Sequence, residues 1–188
     1  MDINKNSLPE DRFPIIEFFN VRKSYVSKSL GIPVLSDVNF KIDSGEFLAA
    51  MGSLDSGKNT LVNLIGLLGG ITEGQILVRR MDRNRMSDQE LVCLRGLEIR
   101  FVFQTFYHFS HLTDVENFLL PTFASSRISI DPRRHVSELL EIMRLHNCMC
   151  YKPSELLGVQ SKRFSIACTL INDFEILLVD GPTRNLAA

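Results

Sequence analysis

The chain has 188 residues, 45% of them hydrophobic, and a formal charge of −1 at neutral pH. That length buries a full core in one domain, with room for a subdomain. The balanced charge, without a broad basic face, argues against a nucleic-acid partner, and no apolar run approaches the ~18 residues that span a bilayer.

Taken in order, Met1 to Pro14 is polar, contains proline and has no apolar signal core, so it reads as a loose leader. Ile15 to Val21 alternates loosely and predicts a strand, with Tyr25 following in a loop flanked by Ser and Lys. Val34 to Ile42 alternates apolar and polar residues, the pattern of a half-buried strand. Asp43-Ser44-Gly45 is a turn, and Phe47 to Met51 is a short apolar strand. A helix begins after Lys58 and stops at Gly69-Gly70. Gly74 to Val78 predicts another strand, and Arg79 to Arg85 reads as a solvated basic turn rather than a nucleic-acid patch. Ser87-Asp88-Gln89-Glu90 is a capping box that opens a helix.

Glu98 to Phe103 predicts a strand ending at Gln104. Thr113-Asp114-Val115-Glu116 is a second capping box, and Pro121 is expected to end the helix behind it. Asp131-Pro132 is an N-cap with proline at the first helical position, followed by Val136, Leu139, Leu140, Ile142, Met143 and Leu145 at helical spacing. His146-Asn147-Cys148-Met149-Cys150 lacks a second ligand pair and reads as a helix end, not a metal cluster. With Cys93 and Cys168 these cysteines form no CxxC pairs, which suits reduced cytosolic thiols. Ile176 to Val179 is a continuous apolar strand closed by Asp180, the signature of a strand buried on both faces at the centre of a parallel sheet.

Two of these stretches carry chemistry. Gly52-Ser53-Leu54-Asp55-Ser56-Gly57-Lys58-Asn59-Thr60 lies between a strand and a helix, the context of a phosphate-binding P-loop. Glycines let backbone N–H groups turn inward around phosphates above the positive helix end, and Lys58 reaches the β- and γ-phosphates. The match to G-x-x-x-x-G-K-[ST] is one residue short, because Asn59 stands where Ser or Thr normally holds Mg²⁺. The bland alternative is a Gly-rich structural turn. Downstream, four apolar residues and Asp180 complete a Walker A and Walker B pair, in which the carboxylate holds the water shell of Mg²⁺.

The order of motifs then resembles one family: Tyr25, the P-loop, Gln104 after Phe-Val-Phe, Lys152-Pro153-Ser154-Glu155-Leu156-Leu157-Gly158-Val159-Gln160, and the Asp180 strand. Over about residues 15 to 186 the chain is similar to the ATP-binding subunit of an ABC transporter. Pro33-Val34-Leu35, Ser44-Gly45-Glu46-Phe47 and Leu94-Arg95-Gly96 are similar to the lipoprotein-releasing and macrolide-export branch. The resemblance implies an α/β P-loop NTPase (RecA-like) core with an antiparallel β subdomain and an inserted helical subdomain. The core is expected over residues 15–104 and 164–188, and the helical insert with its signature loop over 105–163. It implies that Tyr25 stacks on adenine and that Gly52, Ser53, Asp55, Ser56, Gly57, Lys58, Asn59 and Thr60 hold the phosphates. Gly158 and Gln160 would cap the ATP of an opposite subunit, in a homodimer formed through that loop. Lys58, Gln104 and Asp180 form the implied catalytic set, and Asn59, Gln104 and Asp180 the implied Mg²⁺ set. The implied ligands are ATP and Mg²⁺. The implied partner is a membrane-spanning permease subunit holding the chain on the cytoplasmic face; Phe106, Tyr107, Phe109 and Leu112 are read either as its contact or as ordinary core packing.

The departures fall on catalysis and closure. Asp55 replaces a glycine; an elongation-factor-type GTPase has Asp there, but D-x-x-G and N-K-x-D are missing. Leu157 and Val159 stand where the family has Ser and Gly, and Gly181 where it has its catalytic glutamate. Arg184 and Ala187 replace a glycine and an aspartate. The chain ends before the strand that carries the family's switch histidine, and none of His108, His111, His135 or His146 takes its place. The expectation is a sheet with one side uncovered, an aggregation risk. Three readings follow: an energy-coupling subunit with impaired hydrolysis, a non-hydrolysing nucleotide-binding or interaction module, and a degenerate remnant.

Overall fold

The computed structural model describes residues 13–27, 30–53, 55–103, 109–123, 132–145 and 151–181. They belong to two units, Met1–Leu91 and Val92–Ala188. In the first, β1 (Pro14–Ser27) and β2 (Leu30–Asp43) form a long antiparallel hairpin. With β3 (Glu73–Val78) and β4 (Met81–Asp82) they make a four-stranded sheet in the order β2-β1-β3-β4.

The loose alternation in β1 has a cause. Ile16 and Phe18 point into the core, and the next inward residue is Val21 rather than residue 20. A bulge at Asn20 (φ 47°) shifts the register against both neighbours and restores the apolar face. The Asn20 N–H donates to Asn39 Oδ1 at 2.8 Å, which fixes the bulge. Opposite it Gly74 has φ 92°, and a Cβ there would lie 2.4 Å from the Asn20 carbonyl oxygen. Only glycine fits. The buried face is Ile16, Phe18 and Val21 with Ile76 and Val78, and Phe18 stacks on Phe40 at 4.5 Å.

Several expectations are corrected here. Tyr25 lies in β1, paired with Ile32, and not in a loop. The aromatic and β-branched residues Tyr25, Val26 and Ile32 favour extended backbone, and the hairpin ladder continues through them. Phe47 to Met51 joins no ladder, and Phe47 and Met51 are 93% and 92% exposed. Apolar composition makes a strand only where a neighbouring edge accepts its hydrogen bonds, and among the described residues none does.

Helix α1 (Lys58–Ile65) ends at Gly66, earlier than expected. Leu67 adopts left-handed backbone (φ 58°), and bonds from Leu67 N to Leu64 O (3.1 Å) and Leu68 N to Asn63 O (2.8 Å) close the end. That conformation costs a non-glycine residue roughly 1–2 kcal/mol. Burial of the Leu67 side chain, about 1.5–3 kcal/mol, offsets it. The Arg79–Arg85 stretch is a turn, β4 and a 3-10 turn, with Arg80 over the Phe13 ring at 4.7 Å.

Helix α2 (Asp88–Glu98) starts as predicted: Ser87 N and Oγ donate to Glu90 Oε2 at 2.7 and 2.8 Å. In the second unit β5 (Ile99–Val102) runs parallel to β6 (Ile176–Val179). β6 is not buried on both faces. Leu178 is buried while Leu177 and Val179 are exposed, because the described sheet has two strands and covers one face.

Between these strands lie α3 (Asp114–Phe123), α4 (Pro132–Ile142) and α5 (Gly158–Leu170). They close on Phe118, Leu139, Leu140, Leu145, Phe164 and Ala167, with Phe118 and Phe164 edge to face at 4.9 Å. Such a pair adds ~0.5–1.5 kcal/mol beyond burial. Thr113 caps α3 as expected, its N and Oγ1 donating to Glu116 Oε2 at 2.8 and 2.9 Å. Pro121 does not end α3, which continues to Phe123. A proline forfeits its own helical hydrogen bond, and Thr122 Oγ1 donating to the Leu119 carbonyl at 2.6 Å holds the turn. Ile142, one of the apolar residues at helical spacing, is exposed at the end of α4. His146 to Cys150 and Asp131 lie outside the described residues. No helix among the described residues is long and apolar enough to cross a membrane.

Candidate functional site

The loop from Gly52 to Thr60 folds back on itself around the Lys58 ammonium. Nζ donates to Gly52 O at 3.0 Å, Ser53 O at 2.5 Å and Ser56 Oγ at 2.9 Å. All three donors are used, so binding an anion there means exchanging loop carbonyls for a ligand's oxygens. Two backbone positions make the wrap. Asp55 has φ 60°, in the left-handed region that Asp tolerates better than most residues. Gly57 has φ 84° and caps α1 without a side chain. A Cβ on Gly57 would lie 3.0 Å from both Val34 O and Leu35 Cδ2, so the sheet itself demands a glycine.

The helix end is arranged for an anion. No acidic residue lies in the first turn of α1 and no side chain caps it, so the positive end of the dipole is unopposed by the helix's own residues. Asp55 is exposed, as is Asn59, while Thr60 is buried. The loop therefore has a cation at its centre, a neutral carbonyl donor at Asn59 and one carboxylate at its rim.

Tyr25 is half-exposed on β1, and Lys23 Nζ sits 4.8 Å from its ring centroid. The same ammonium donates to the Gly70 carbonyl at 2.7 Å, tying β1 to the segment after α1. Sequence reasoning missed Lys23. The signal was its spacing, since residues two apart share a strand face.

The remaining candidates belong to the second unit. Asp180 follows β6, its N–H donating to Val102 O at 3.0 Å, so the carboxylate stands at the carboxyl end of a parallel strand. Gly181 has φ 55°. Leu157 precedes α5, with Gly158 and Gln160 in the first turn; Gln160 Oε1 accepts the Leu157 N–H at 2.9 Å. A Cβ on Gly158 would meet nothing within 4 Å, so this chain's own packing does not demand a glycine. Leu157 is 72% exposed and Val159 is exposed beside it. Lys58 thus gathers Gly52, Ser53 and Ser56, while Asp180, Gly158 and Gln160 are held in the other unit. Gln104, Leu54, Phe106, Tyr107, His108, Arg184 and Ala187 lie outside the described residues.

Asp114 is the other residue that sequence did not single out. It is fully buried, and among the described residues neither carboxylate oxygen has a hydrogen-bond partner. Burial, with the nearby Glu155 charge, pushes its carboxyl up to about 6.

Comparison with known proteins bears directly on this arrangement. The family described as ABC transporter is matched by residues 35–184. A macrolide export ATP-binding/permease protein, MacB, of Pasteurella multocida (strain Pm70) is 38% identical over 173 residues, covering 92% of this chain and 27% of the relative. The uncharacterized ABC transporter ATP-binding protein YvrO of Bacillus subtilis (strain 168) is 37% identical over 167 residues, covering 89% of this chain and 73% of the relative. The chain thus spans about a quarter of the first of these relatives and about three quarters of the second. Among solved structures, the dimeric bacterial ABC transporter cassette MJ0796 is similar at a TM-score of 0.81 and 36% identity, covering 91% of this chain and 75% of that one. A post-hydrolysis state of the same cassette bound to ADP and Pi gives a TM-score of 0.80.

Proposed function

The chain belongs to the ABC transporter family, and on that premise we propose that its loop from Gly52 to Thr60 binds ATP to drive a membrane partner while hydrolysing it slowly. The observation that carries this is Lys58, with its ammonium inside the glycine loop against Gly52 O, Ser53 O and Ser56 Oγ. A γ-phosphate offers oxygen acceptors of the same kind to the Lys58 ammonium, with the amino end of α1 beneath it. Gly52, Ser53, Asp55, Ser56, Gly57, Asn59 and Thr60 line the phosphates, and Tyr25 offers its exposed ring to adenine.

Mg²⁺ fits the donor chemistry, since Asn59, Gln104 and Asp180 present only hard oxygen ligands among their acceptors. Held by such oxygens, the ion would neutralise phosphate charge. Asn59 supplies a neutral carbonyl on a longer arm than Ser or Thr, which weakens its hold. Asp55, if its carboxylate faces the phosphates, adds on the order of 1–3 kcal/mol of repulsion.

Slow hydrolysis follows from Gly181, which has no carboxylate to orient or deprotonate water. A missing general base is worth roughly 10²–10⁴-fold. The apolar Leu157 and Val159 flank Gly158 at the turn that would meet a second cassette's nucleotide, so pairing of two copies is weak or requires a partner with a polar turn. A permease of the macrolide-export or lipoprotein-release type, on the cytoplasmic side of a membrane, is the partner this reading implies; MacB carries ATP-binding and permease functions in one name. The helical segment around residues 105–163, including Phe109, is its proposed contact. A second reading, a nucleotide-binding module without turnover, is favoured by Gly181 alone.

Thermal unfolding with and without Mg·ATP, beside Lys58→Ala, tests the binding. Ligand at ~100 times its dissociation constant adds about 2.7 kcal/mol, a shift of roughly 5–10 °C for a chain this size. The reading requires that shift in the parent chain and its loss in Lys58→Ala. A cooperative transition that ATP does not move would sink it and leave the remnant or the pure interaction reading.

A further inference from the structure

Asp114 is the first residue of α3, where the helix dipole favours an anion. Its surroundings oppose one. Its side chain is fully buried, and both oxygens are unpartnered among the described residues. Its own N–H donates to Tyr151 O at 2.8 Å, so α3 is fastened to the segment that runs through the Pro153–Glu155 turn into α5. From that turn Glu155 acts on it with a like charge, and on α5 the half-buried Cys168 thiol is raised well above the usual range, first by desolvation and then by the charge of Asp114. On its own helix Glu116 is occupied by Thr113. Among the described residues, neither a titratable group of α4, which also packs against α3, nor any cation acts on it.

An ionised carboxylate in such a place has two ways out: take up a proton or open to water. We propose that Asp114 is a proton-operated latch of the helical unit. Neutral, it lets α3 close on the 151–155 segment and on α5; ionised, it drives them apart until water reaches the carboxylate. The sign follows from its carboxyl standing near 6 when buried, above the ordinary 3.8 of a solvated one. The closed form holds the extra proton, so closure weakens as pH rises through that interval and is constant above it. For opening that fully hydrates the group, the open-to-closed ratio rises about tenfold between pH 5 and pH 8. Because α5 begins at Gly158, the latch also governs the turn assigned above to a neighbouring cassette's nucleotide. That consequence rests on the functional reading; the opening does not.

The test is amide hydrogen exchange on the full chain, without nucleotide, with protection normalised to intrinsic rates at pH 5 and pH 8. Protection in α3 and α5 should fall about tenfold in the parent chain and stay level in Asp114→Asn and Asp114→Leu. Equal protection at both pH values in the parent, or the same fall in both variants, overturns the latch. So does failure of both variants to fold, because a neutral side chain is what the closed unit is built to accept.

Discussion

Gly181 concentrates the functional argument in one residue. On the proposed reading it lacks the carboxylate that would activate water, and its φ of 55° lies in the region where a side chain costs roughly 1–2 kcal/mol. Gly181→Glu therefore restores a carboxylate at the expense of backbone strain, with Leu157 and Val159 unchanged at the opposite turn. Measured by phosphate release and by melting, the variant should gain less than the roughly 10²–10⁴-fold a general base contributes and melt a few degrees lower. A full gain with unchanged stability would show that glycine is there by accident. At this scale much was legible in sequence, because Lys58 in a glycine loop has few other uses and its wrap follows from local geometry. Lys23 and Asp114 were not. The cation on Tyr25 requires the strand that sequence read as a loop, and Asp114 looks like an ordinary first-turn acid until α3 is packed against residues 151–155.

At the scale of elements, the chain forms what its local code and its tertiary partners agree upon. Both capping boxes, Ser87 to Glu90 and Thr113 to Glu116, fold as written because every group they need lies within one turn. Strands depend on neighbours. Phe47 to Met51 has the composition of a strand and no ladder, whereas Tyr25 and Val26 are drawn into one by β2. The end of α1 moved to Gly66 because burying Leu67 outweighs its strained backbone. The bulge at Asn20 is the element most exposed to a single change. Gly74→Ala would drive a methyl to 2.4 Å from the Asn20 carbonyl oxygen, at a φ that alanine avoids. The loss expected is about 1–3 kcal/mol, read as a lower urea midpoint with unchanged slope. An unchanged midpoint would mean that the bulge does not hold the β1–β3 register.

For the whole molecule, the expected P-loop NTPase class agrees with the cassette structures at a TM-score of 0.81, and the antiparallel sheet and the helical cluster are both present. What the motifs could not convey is the balance between binding and turnover. Two departures, Asp55 and Asn59, lie in the loop around Lys58 and leave its lysine and both glycines in place; on the proposed reading the others fall on water activation or on closure against a second cassette. The proposed function therefore requires that the chain bind ATP and hydrolyse it slowly. The most direct measurement incubates it with Mg·ATP labelled on the γ-phosphate and follows retained nucleotide and released phosphate together. Retention of intact ATP that Lys58→Ala abolishes, with phosphate release roughly 10²–10⁴-fold below a relative bearing the glutamate, is the predicted result. Release at the relative's rate, or no retained nucleotide at all, would contradict it.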